Sequence, residues 1–275
     1  MTSKTHEYKI SILLPTRGRT EMLQRSLSSL ITNASDPKSI QFILGFDNDD
    51  QASQEYFETT IAPEIEAAGA SWEFYEFQRL GYDQLHLYVN QLAAYADSDW
   101  FIFWNDDAVM QHKDWDTEIT AYTGQFKILA FDTHNKHPYS IFPIVPSQWY
   151  EVLGFLSRHQ LNDAYISQMA YLLDIMVRTD IKVDHDRFDL TGHNKDSTYE
   201  ERRLYEGNPA DPKDFNHINM VTLRSADTDR ISEWMTAQGL DVSHWTNVKA
   251  GKQDPWAKMR ANDVNKFLAL SQWKN

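Results

Sequence analysis

The chain of 275 residues contains no cysteine. This absence excludes disulfides, thiolate metal ligands and a cysteine nucleophile, and it is compatible with a reducing compartment. Long apolar runs are missing as well, because no stretch approaches the length of a membrane span. The first residues, MTSKTHEYK, lack the apolar core of a signal peptide. We therefore expect a cytoplasmic protein with no membrane span.

Basic residues are also scarce relative to acidic ones. The chain has 26 Lys and Arg residues and 40 Asp and Glu residues, which gives a formal net charge of −14. A nucleic-acid partner bound through its backbone needs a basic face, so the charge argues against one. The same charge repels a nucleotide diphosphate unless a metal ion or local arginines reverse the sign at the binding site.

Apolar runs rich in β-branched and aromatic residues alternate with amphipathic segments. Four such runs are predicted strands, at 8–14, 40–46, 71–77 and 100–104. Helices are predicted between them at 20–31, 51–68 and 83–96. This alternation predicts an α/β fold, with a mostly parallel, Rossmann-like central sheet flanked by crossover helices.

The second half of the chain is less regular. A strand is predicted at 125–132 and a short one at 181–184, with a helix over 163–177 before it. The proline-containing stretch 206–215, EGNPADPKDF, predicts a boundary. Beyond it, helical patterns near 227–237 and 255–273 predict a helical C-terminal extension.

Three of the predicted strands end in polar loops. The sequences are PTRGR at 15–19, DNDD at 47–50 and NDD at 105–107. An arginine loop can hold an anion, carboxylates accept hydrogen bonds from ring N–H and hydroxyl groups, and oxygen ligands suit Mg²⁺ or Mn²⁺. Taken singly, each loop is equally well a solvated turn or a helix cap. Because the carboxyl ends of adjacent parallel strands share one edge, their convergence favours a ligand site.

These ordered motifs resemble the glycosyltransferases of the GT-A fold, in particular family 2, over roughly residues 8–200. The resemblance implies a nucleotide-sugar donor, with a UDP-sugar favoured, a hydroxyl acceptor such as a carbohydrate, and Mn²⁺ or Mg²⁺ as cofactor. It also implies two domains. Residues 1–205 would form the GT-A domain, with a nucleotide-binding half at 1–110 and an acceptor half at 111–205, and 206–275 would be the extension.

The resemblance also assigns site residues. Those implied to bind the nucleotide-sugar are Pro15, Thr16, Arg17, Arg19, Asp47, Asp49, Arg79 and Asp106. In the DxD-type motif at 105–107, Asp107 would be the direct metal ligand. Asn105 stands where many members of the family have the first Asp, and an amide carries no charge to hold the cation. A later histidine that completes the metal shell would be useful, and His185 is the first candidate, with His193 as its rival.

On the acceptor side, Asp163 matches the catalytic base of inverting members. It would deprotonate the acceptor hydroxyl as that oxygen attacks the anomeric carbon. The family usually has an acidic pair here, and Asn162 departs from it. A helix-capping role for Asp163 is an equally good interpretation of the sequence alone.

The expected function is metal-dependent, inverting transfer of a sugar from a nucleotide-diphosphate donor to an acceptor hydroxyl. One alternative is a sugar-nucleotide nucleotidyltransferase, although PTRGR has one glycine and no lysine where that class has a glycine-rich, lysine-containing loop. Another is a non-catalytic sugar- or nucleotide-binding protein on the same scaffold.

Overall fold

The computed structural model describes residues 5–133, 139–186, 200–201 and 210–262. Within them lies one eight-stranded sheet. Its strands are β1 (Tyr8–Thr16), β2 (Ile40–Asp47), β3 (Ser71–Phe77), β4 (Ser98–Phe103), β5 (Ala108–Met110), β6 (Ile128–Thr133), β7 (Ile144–Pro146) and β8 (Met176–His185).

The spatial order of the strands is β3-β2-β1-β4-β7-β6-β8-β5. The first four are mutually parallel, as is the pair β6 and β8. The strand β7 runs antiparallel to both of its neighbours, β4 and β6, so these two neighbours point the same way. The short edge strand β5 is antiparallel to β8. The predicted mostly parallel central sheet is confirmed.

Helices flank the sheet. They are α1 (Thr20–Asn33), α2 (Gln51–Tyr56), α3 (Ala62–Ala67), α4 (Leu85–Ala93), α5 (Trp115–Thr120), α6 (Ser147–Leu153), α7 (Asn162–Leu172), α8 (Ile218–Ala237), α9 (Ser243–Lys249) and α10 (Ala257–Asn262). A π-helical turn, Phe57–Ile61, joins α2 to α3, and a 3₁₀ turn, Tyr82–Gln84, precedes α4.

The core has two halves, one on each face of the sheet. All eight residues of β2 are buried, which is what a central parallel strand covered by helices on both faces requires. Along β1, Leu13 belongs to one half of the core and Ile12 and Leu14 to the other, because successive side chains of a strand point to opposite faces.

The C-terminal helices are part of this core rather than a loose tail. The helix α8 contacts α6 and α7, and its residues Ile231 and Met235 are buried in the same half of the core as Leu13. The predicted domain boundary between residues 205 and 206 lies outside the described residues. Among the helices in the described part of the chain, none is long and apolar enough to cross a membrane.

The helix and the strand predicted on either side of residue 178 have different bounds in the structure. The helix predicted over 163–177 ends at Leu172 because Asp174 adopts a left-handed conformation with φ of 58°. The strand predicted at 181–184 is therefore longer and occupies all of β8. This longer strand carries His185 to the edge of the sheet where β1, β2 and β4 also end.

Candidate functional site

A pocket opens at the carboxyl ends of β1, β2, β4 and β8, the edge at which parallel α/β sheets bind ligands. Its described lining is Pro15, Thr16, Arg17, Arg19, Met22, Gly45, Asp47, Arg79, Gly81, Tyr82, Leu85, Tyr88, Phe103, Asn105, Asp106, Asp107, Ile141, Gln160, Leu161, Asp163, His185, Asp186 and Glu201. Of the site residues predicted from sequence, all but Asp49 lie in this lining. His193 falls outside the described residues.

The first and second predicted loops meet through Arg17. Its Nη1 donates to Oδ2 of Asp47 at 3.1 Å and also bonds Asp49, while its Nη2 donates to Oδ2 of Asp49 at 3.0 Å. Asp47 is buried, whereas the Asp49 side chain is half exposed. The bond from Arg17 lowers the pKa of Asp49. Asp49 does not line the pocket itself, but it holds the side chain of Arg17, which does.

Asp106 is a buried acid with a donor on each of its oxygens. Thr16 donates its hydroxyl to Oδ2 at 2.8 Å, and Arg19 donates Nη1 to Oδ1 at 2.9 Å. Burial raises the pKa of this carboxyl, and the Arg19 guanidinium opposes that rise. The first loop and the NDD motif are thus joined by two direct hydrogen bonds.

The NDD motif does not cap a helix. The chain continues from Asp107 into β5, and the backbone N–H of Ala108 donates to the carbonyl of Asn105 at 3.2 Å. Because β5 pairs with β8 and Ala108 is in register with His185, Asp107 and His185 become neighbours. The sequence interpretation as a helix-capping turn is wrong here because a short strand, not a helix, follows the motif.

Asp107 and His185 are suited to a divalent cation. Nε2 of His185 lies 3.1 Å from Oδ1 of Asp107, and both side chains are buried at the bottom of the pocket. Neither ring nitrogen of His185 makes a hydrogen bond within the described residues. Two ligand atoms about 3 Å apart can share one ion when each bond is about 2.0–2.2 Å long. No group of three or more acidic or His side chains arranged for a metal occurs in the described parts of the chain.

Asp163 enters the pocket from the start of α7, beside Gln160 and Leu161. The helix has its N-cap at Leu161 and no side-chain capping bond. The alternative in which Asp163 caps the helix is therefore not what the structure shows. The carboxyl group is half-buried and faces the pocket, where a substrate group can reach it.

Arg79 lies at the open side of the pocket, where its Nη2 donates to Oε2 of Glu201 at 3.1 Å. The other oxygen of Glu201 accepts the backbone N–H of Tyr82 at 3.0 Å. Gly81, between them, has φ of 78°, and a Cβ there would lie 2.6 Å from the Glu201 carboxylate. The left-handed backbone therefore favours a glycine here, and a side chain would also force the Glu201 carboxylate to move.

The pocket is acidic despite its arginines. Among the described lining residues there are six carboxylates, those of Asp47, Asp106, Asp107, Asp163, Asp186 and Glu201, and three arginines, Arg17, Arg19 and Arg79. Each of these arginines is already paired with at least one acid. A diphosphate entering this field would be repelled unless a cation accompanied it.

Several lining residues were not found by sequence reasoning. Tyr88, Gln160, Asp186 and Glu201 belong to helices or to stretches far from the three loops. The sequence offers an indication only for Tyr88, because the helical spacing places it on the inward face of α4 with Leu85 and Leu92.

A second cavity, of about 830 Å³, lies at the opposite edge of the sheet, among the amino ends of β4, β6 and β8. Its described lining includes Lys127 but no arginine, and none of the sequence motifs reaches it. Position and chemistry therefore favour the first pocket as the functional site.

Comparison with known proteins identifies the fold. No protein-family model and no curated protein sequence matches the chain. A mannosyltransferase from Pyrobaculum calidifontis, in complex with GDP-Man and Mn²⁺, matches with a TM-score of 0.53 at 10% identity, over 99% of this chain and 92% of that one. The chain has a GT-A-type fold. The fold predicted from the motifs is confirmed.

S. aureus TarS, residues 1–349, gives a second set of matches. Its complex with UDP-GlcNAc matches with a TM-score of 0.51 at 12% identity, over 95% of this chain and 83% of that one. Its complex with UDP matches with a TM-score of 0.52 at 12% identity, over 83% and 72%. At these identities the similarity establishes the fold alone.

Proposed function

We propose that the protein is a metal-dependent glycosyltransferase that moves a sugar from a nucleotide-diphosphate donor, a UDP-sugar in the first instance, to an acceptor hydroxyl. The observation that carries this proposal is the pairing of Asp107 with His185, 3.1 Å apart at the bottom of an acidic pocket. The GT-A-type fold supports it, as do the nucleotide-sugars and Mn²⁺ bound by the proteins of similar structure.

The donor would bind along the edge formed by the first two loops. Asp47, held by Arg17, would accept hydrogen bonds from the base, and Arg79 would reach the ribose or phosphates after its bond to Glu201 breaks. Thr16 and Arg19 hold Asp106 in place and so fix the NDD motif relative to the donor. These residues bind and orient the donor.

Asp107 and His185 would hold Mn²⁺ or Mg²⁺, with remaining ligands from the diphosphate and from water. When bound, the ion would offset the charge that grows on the departing diphosphate. Asn105 supplies no charge to this site, which makes His185 the compensating ligand. Its burial keeps bulk water away from the ring.

Asp163 would act as the base of an inverting displacement. Its carboxylate takes the proton of the acceptor hydroxyl while the acceptor oxygen forms a bond to the anomeric carbon. The bond from that carbon to the diphosphate breaks, and its electron pair leaves with the nucleoside diphosphate. The position of Asp163 in the lining of the pocket and its lack of a capping bond support this role.

Thermal unfolding with nucleotides tests this proposal, because a ligand that binds only the folded state raises apparent stability. The panel is UDP, GDP, CDP and ADP, each with Mn²⁺ and each with EDTA. We expect at least one nucleotide to raise Tm only when Mn²⁺ is present. If none does, the donor-site assignment is wrong.

The two alternatives are separated by the products. A glycosyltransferase releases the nucleoside diphosphate from a nucleotide-sugar, whereas a nucleotidyltransferase converts a nucleotide-sugar and pyrophosphate into a nucleoside triphosphate and a sugar 1-phosphate. A non-catalytic binding protein would bind the nucleotide-sugar and release neither product.

A further inference from the structure

The two carboxylate oxygens of Asp47 have different partners. Oδ2 accepts Nη1 of Arg17 at 3.1 Å, and Oδ1 accepts a short hydrogen bond from the hydroxyl of Tyr88. Asp47 ends β2, while Tyr88 belongs to α4, so this bond joins the sheet edge to a helix that no sequence motif includes. Both residues line the pocket.

The direction of the bond from Tyr88 is fixed by a third group. The backbone N–H of Leu80 donates to the phenolic oxygen of Tyr88 at 2.7 Å. The single hydroxyl hydrogen of Tyr88 is therefore left to donate to Asp47. Burial, followed by the bond to Asp47, raises the pKa of Tyr88, so the phenol keeps this hydrogen.

The ring of Tyr88 cannot easily turn away. It is 6% exposed and meets the ring of Phe77 edge-on, with centroids 5.3 Å apart. Phe77 in turn occupies the space beside Gly45, where a Cβ would lie 2.8 Å from its ring. Gly45 thus allows Phe77 to support Tyr88, and packing holds the phenol in one orientation.

This arrangement determines what Asp47 can recognise. With a donor on each oxygen, the plane of the carboxylate is fixed, and each oxygen retains lone-pair capacity for another donor. A carboxylate can only accept, so its partner in the pocket must present an N–H or O–H group. The ring N–H of uracil or guanine meets this requirement.

We propose that Tyr88 is a positioning residue of the donor site, whose hydroxyl holds the Asp47 carboxylate in the orientation that accepts the ring N–H of the donor's base. This inference rests on the proposed function, because it requires a nucleotide to bind beside Asp47. Tyr88 acts through Asp47 and need not touch the reacting atoms.

The test is a pair of binding constants measured by calorimetry on the full chain with Mn²⁺ present. One ligand is UDP or GDP, whichever the wild type binds more tightly, and the other is inorganic pyrophosphate, which lacks a base. Tyr88→Phe keeps the ring but removes the hydroxyl. Since hydrogen bonds to charged groups are the stronger ones, we expect nucleotide affinity to fall roughly tenfold to hundredfold, with pyrophosphate affinity unchanged.

Tyr75→Phe is the matched control, because its hydroxyl donates to Glu73 at 2.6 Å on β3, away from the pocket. It should change neither constant. A second comparison uses Asp47→Asn as background. If Tyr88 acts through Asp47, adding Tyr88→Phe to that variant should change nucleotide affinity by less than about twofold, because coupled residues are not additive.

Two results would overturn the inference. Unchanged nucleotide affinity in Tyr88→Phe would show that the hydroxyl does not position the Asp47 carboxylate for the ring N–H of the donor's base. Equal weakening of nucleotide and pyrophosphate would show that Tyr88 only supports the fold of the pocket. If the wild type binds pyrophosphate but no nucleotide, base recognition at Asp47 is excluded, and if it binds neither ligand, the proposed function itself fails.

Discussion

Nε2 of His185 lies 3.1 Å from Oδ1 of Asp107 because the edge strand β5 pairs in antiparallel register with the end of β8. The pairing brings together two residues that are far apart in the chain and belong to different motifs. Under the metal hypothesis, His185 would compensate for Asn105, the uncharged residue at the first position of the NDD motif. The metal hypothesis depends on this contact.

Removing either of these two side chains should weaken metal-dependent nucleotide binding. We expect His185→Ala and Asp107→Ala each to weaken Mn²⁺-dependent UDP or GDP affinity by more than roughly tenfold. Loss of a residue that only hydrogen-bonds to a metal ligand already costs about that much, and these two residues would be ligands themselves. Calorimetric titration of nucleotide with and without Mn²⁺ measures it. His112→Gln is the control, because His112 pairs with Glu118 outside the pocket. Wild-type affinity in His185→Ala would remove His185 from the metal shell.

Asp163→Asn should separate catalysis from donor binding. The amide cannot accept the acceptor proton as a base, so we expect transfer to fall by roughly 10²–10⁴-fold while nucleotide affinity stays unchanged. Release of nucleoside diphosphate from a nucleotide-sugar, measured against a panel of saccharide acceptors, reports the rate. Asp180→Asn, an exposed change on β8, is the matched control. A variant with normal turnover would exclude Asp163 as the base.

The C-terminal helix α8 should contribute to global stability through Asp227. This buried carboxylate accepts Nε and Nη2 of Arg158 at 2.7 and 3.2 Å and the hydroxyl of Tyr165 at 2.5 Å. Asp227→Ala leaves both partners without that acceptor, and because the Arg158 side chain is 39% exposed, we expect a loss of roughly 2 kcal/mol rather than the larger cost of a fully buried pair.

Urea unfolding measures that loss. Lys9→Ala removes one partner of an exposed pair with Asp36 and should cost less than about 1 kcal/mol. Equal, small effects of the two changes would mean that α8 is not stabilised by the Asp227 contacts.

Acid should destabilise the fold partly through His159. Burial lowers the pKa of this ring to about 4, below the value of about 6.5 expected in the unfolded chain. Between these values the unfolded state binds more protons, so stability falls as pH drops from about 6.5 to about 4, with a slope on the order of 1 kcal/mol per pH unit.

The His159→Gln variant has no imidazole to protonate, so it lacks the loss of stability that His159 causes at acid pH. The difference in unfolding free energy between wild type and variant should therefore shrink as pH is lowered through that window. Urea titrations at several pH values test it, and parallel pH profiles of the two proteins would contradict the assignment.

The parts of the site that sequence could predict are those at strand ends. A buried strand followed by polar residues fixes where Thr16, Asp47 and Asp107 must lie, since parallel strands share their carboxyl edge. Tyr88 and Glu201 could not be placed in this way. Tyr88 looks like any aromatic residue on a buried helix face, and Glu201 reaches Arg79 only through the tertiary fold.

For Asp49 and Asp116, the surrounding sequence did not predict which groups each carboxylate contacts. Asp49 stands in the predicted acidic loop but remains outside the pocket, paired with Arg17. Asp116, in the first turn of α5, accepts the backbone N–H groups of Ser35 and Asp36. Its bonds cross to the end of α1, and no local pattern encodes such a contact.

The measurement that tests the central claim most directly is release of nucleoside diphosphate from UDP-GlcNAc and GDP-Man by the purified chain. The proposed function predicts release of UDP or GDP that requires Mn²⁺ or Mg²⁺, stops when EDTA is added and is absent in Asp107→Ala. Release that is unaffected by EDTA and by Asp107→Ala would contradict the metal site. No release from any nucleotide-sugar, with nucleotide binding intact, would contradict transfer.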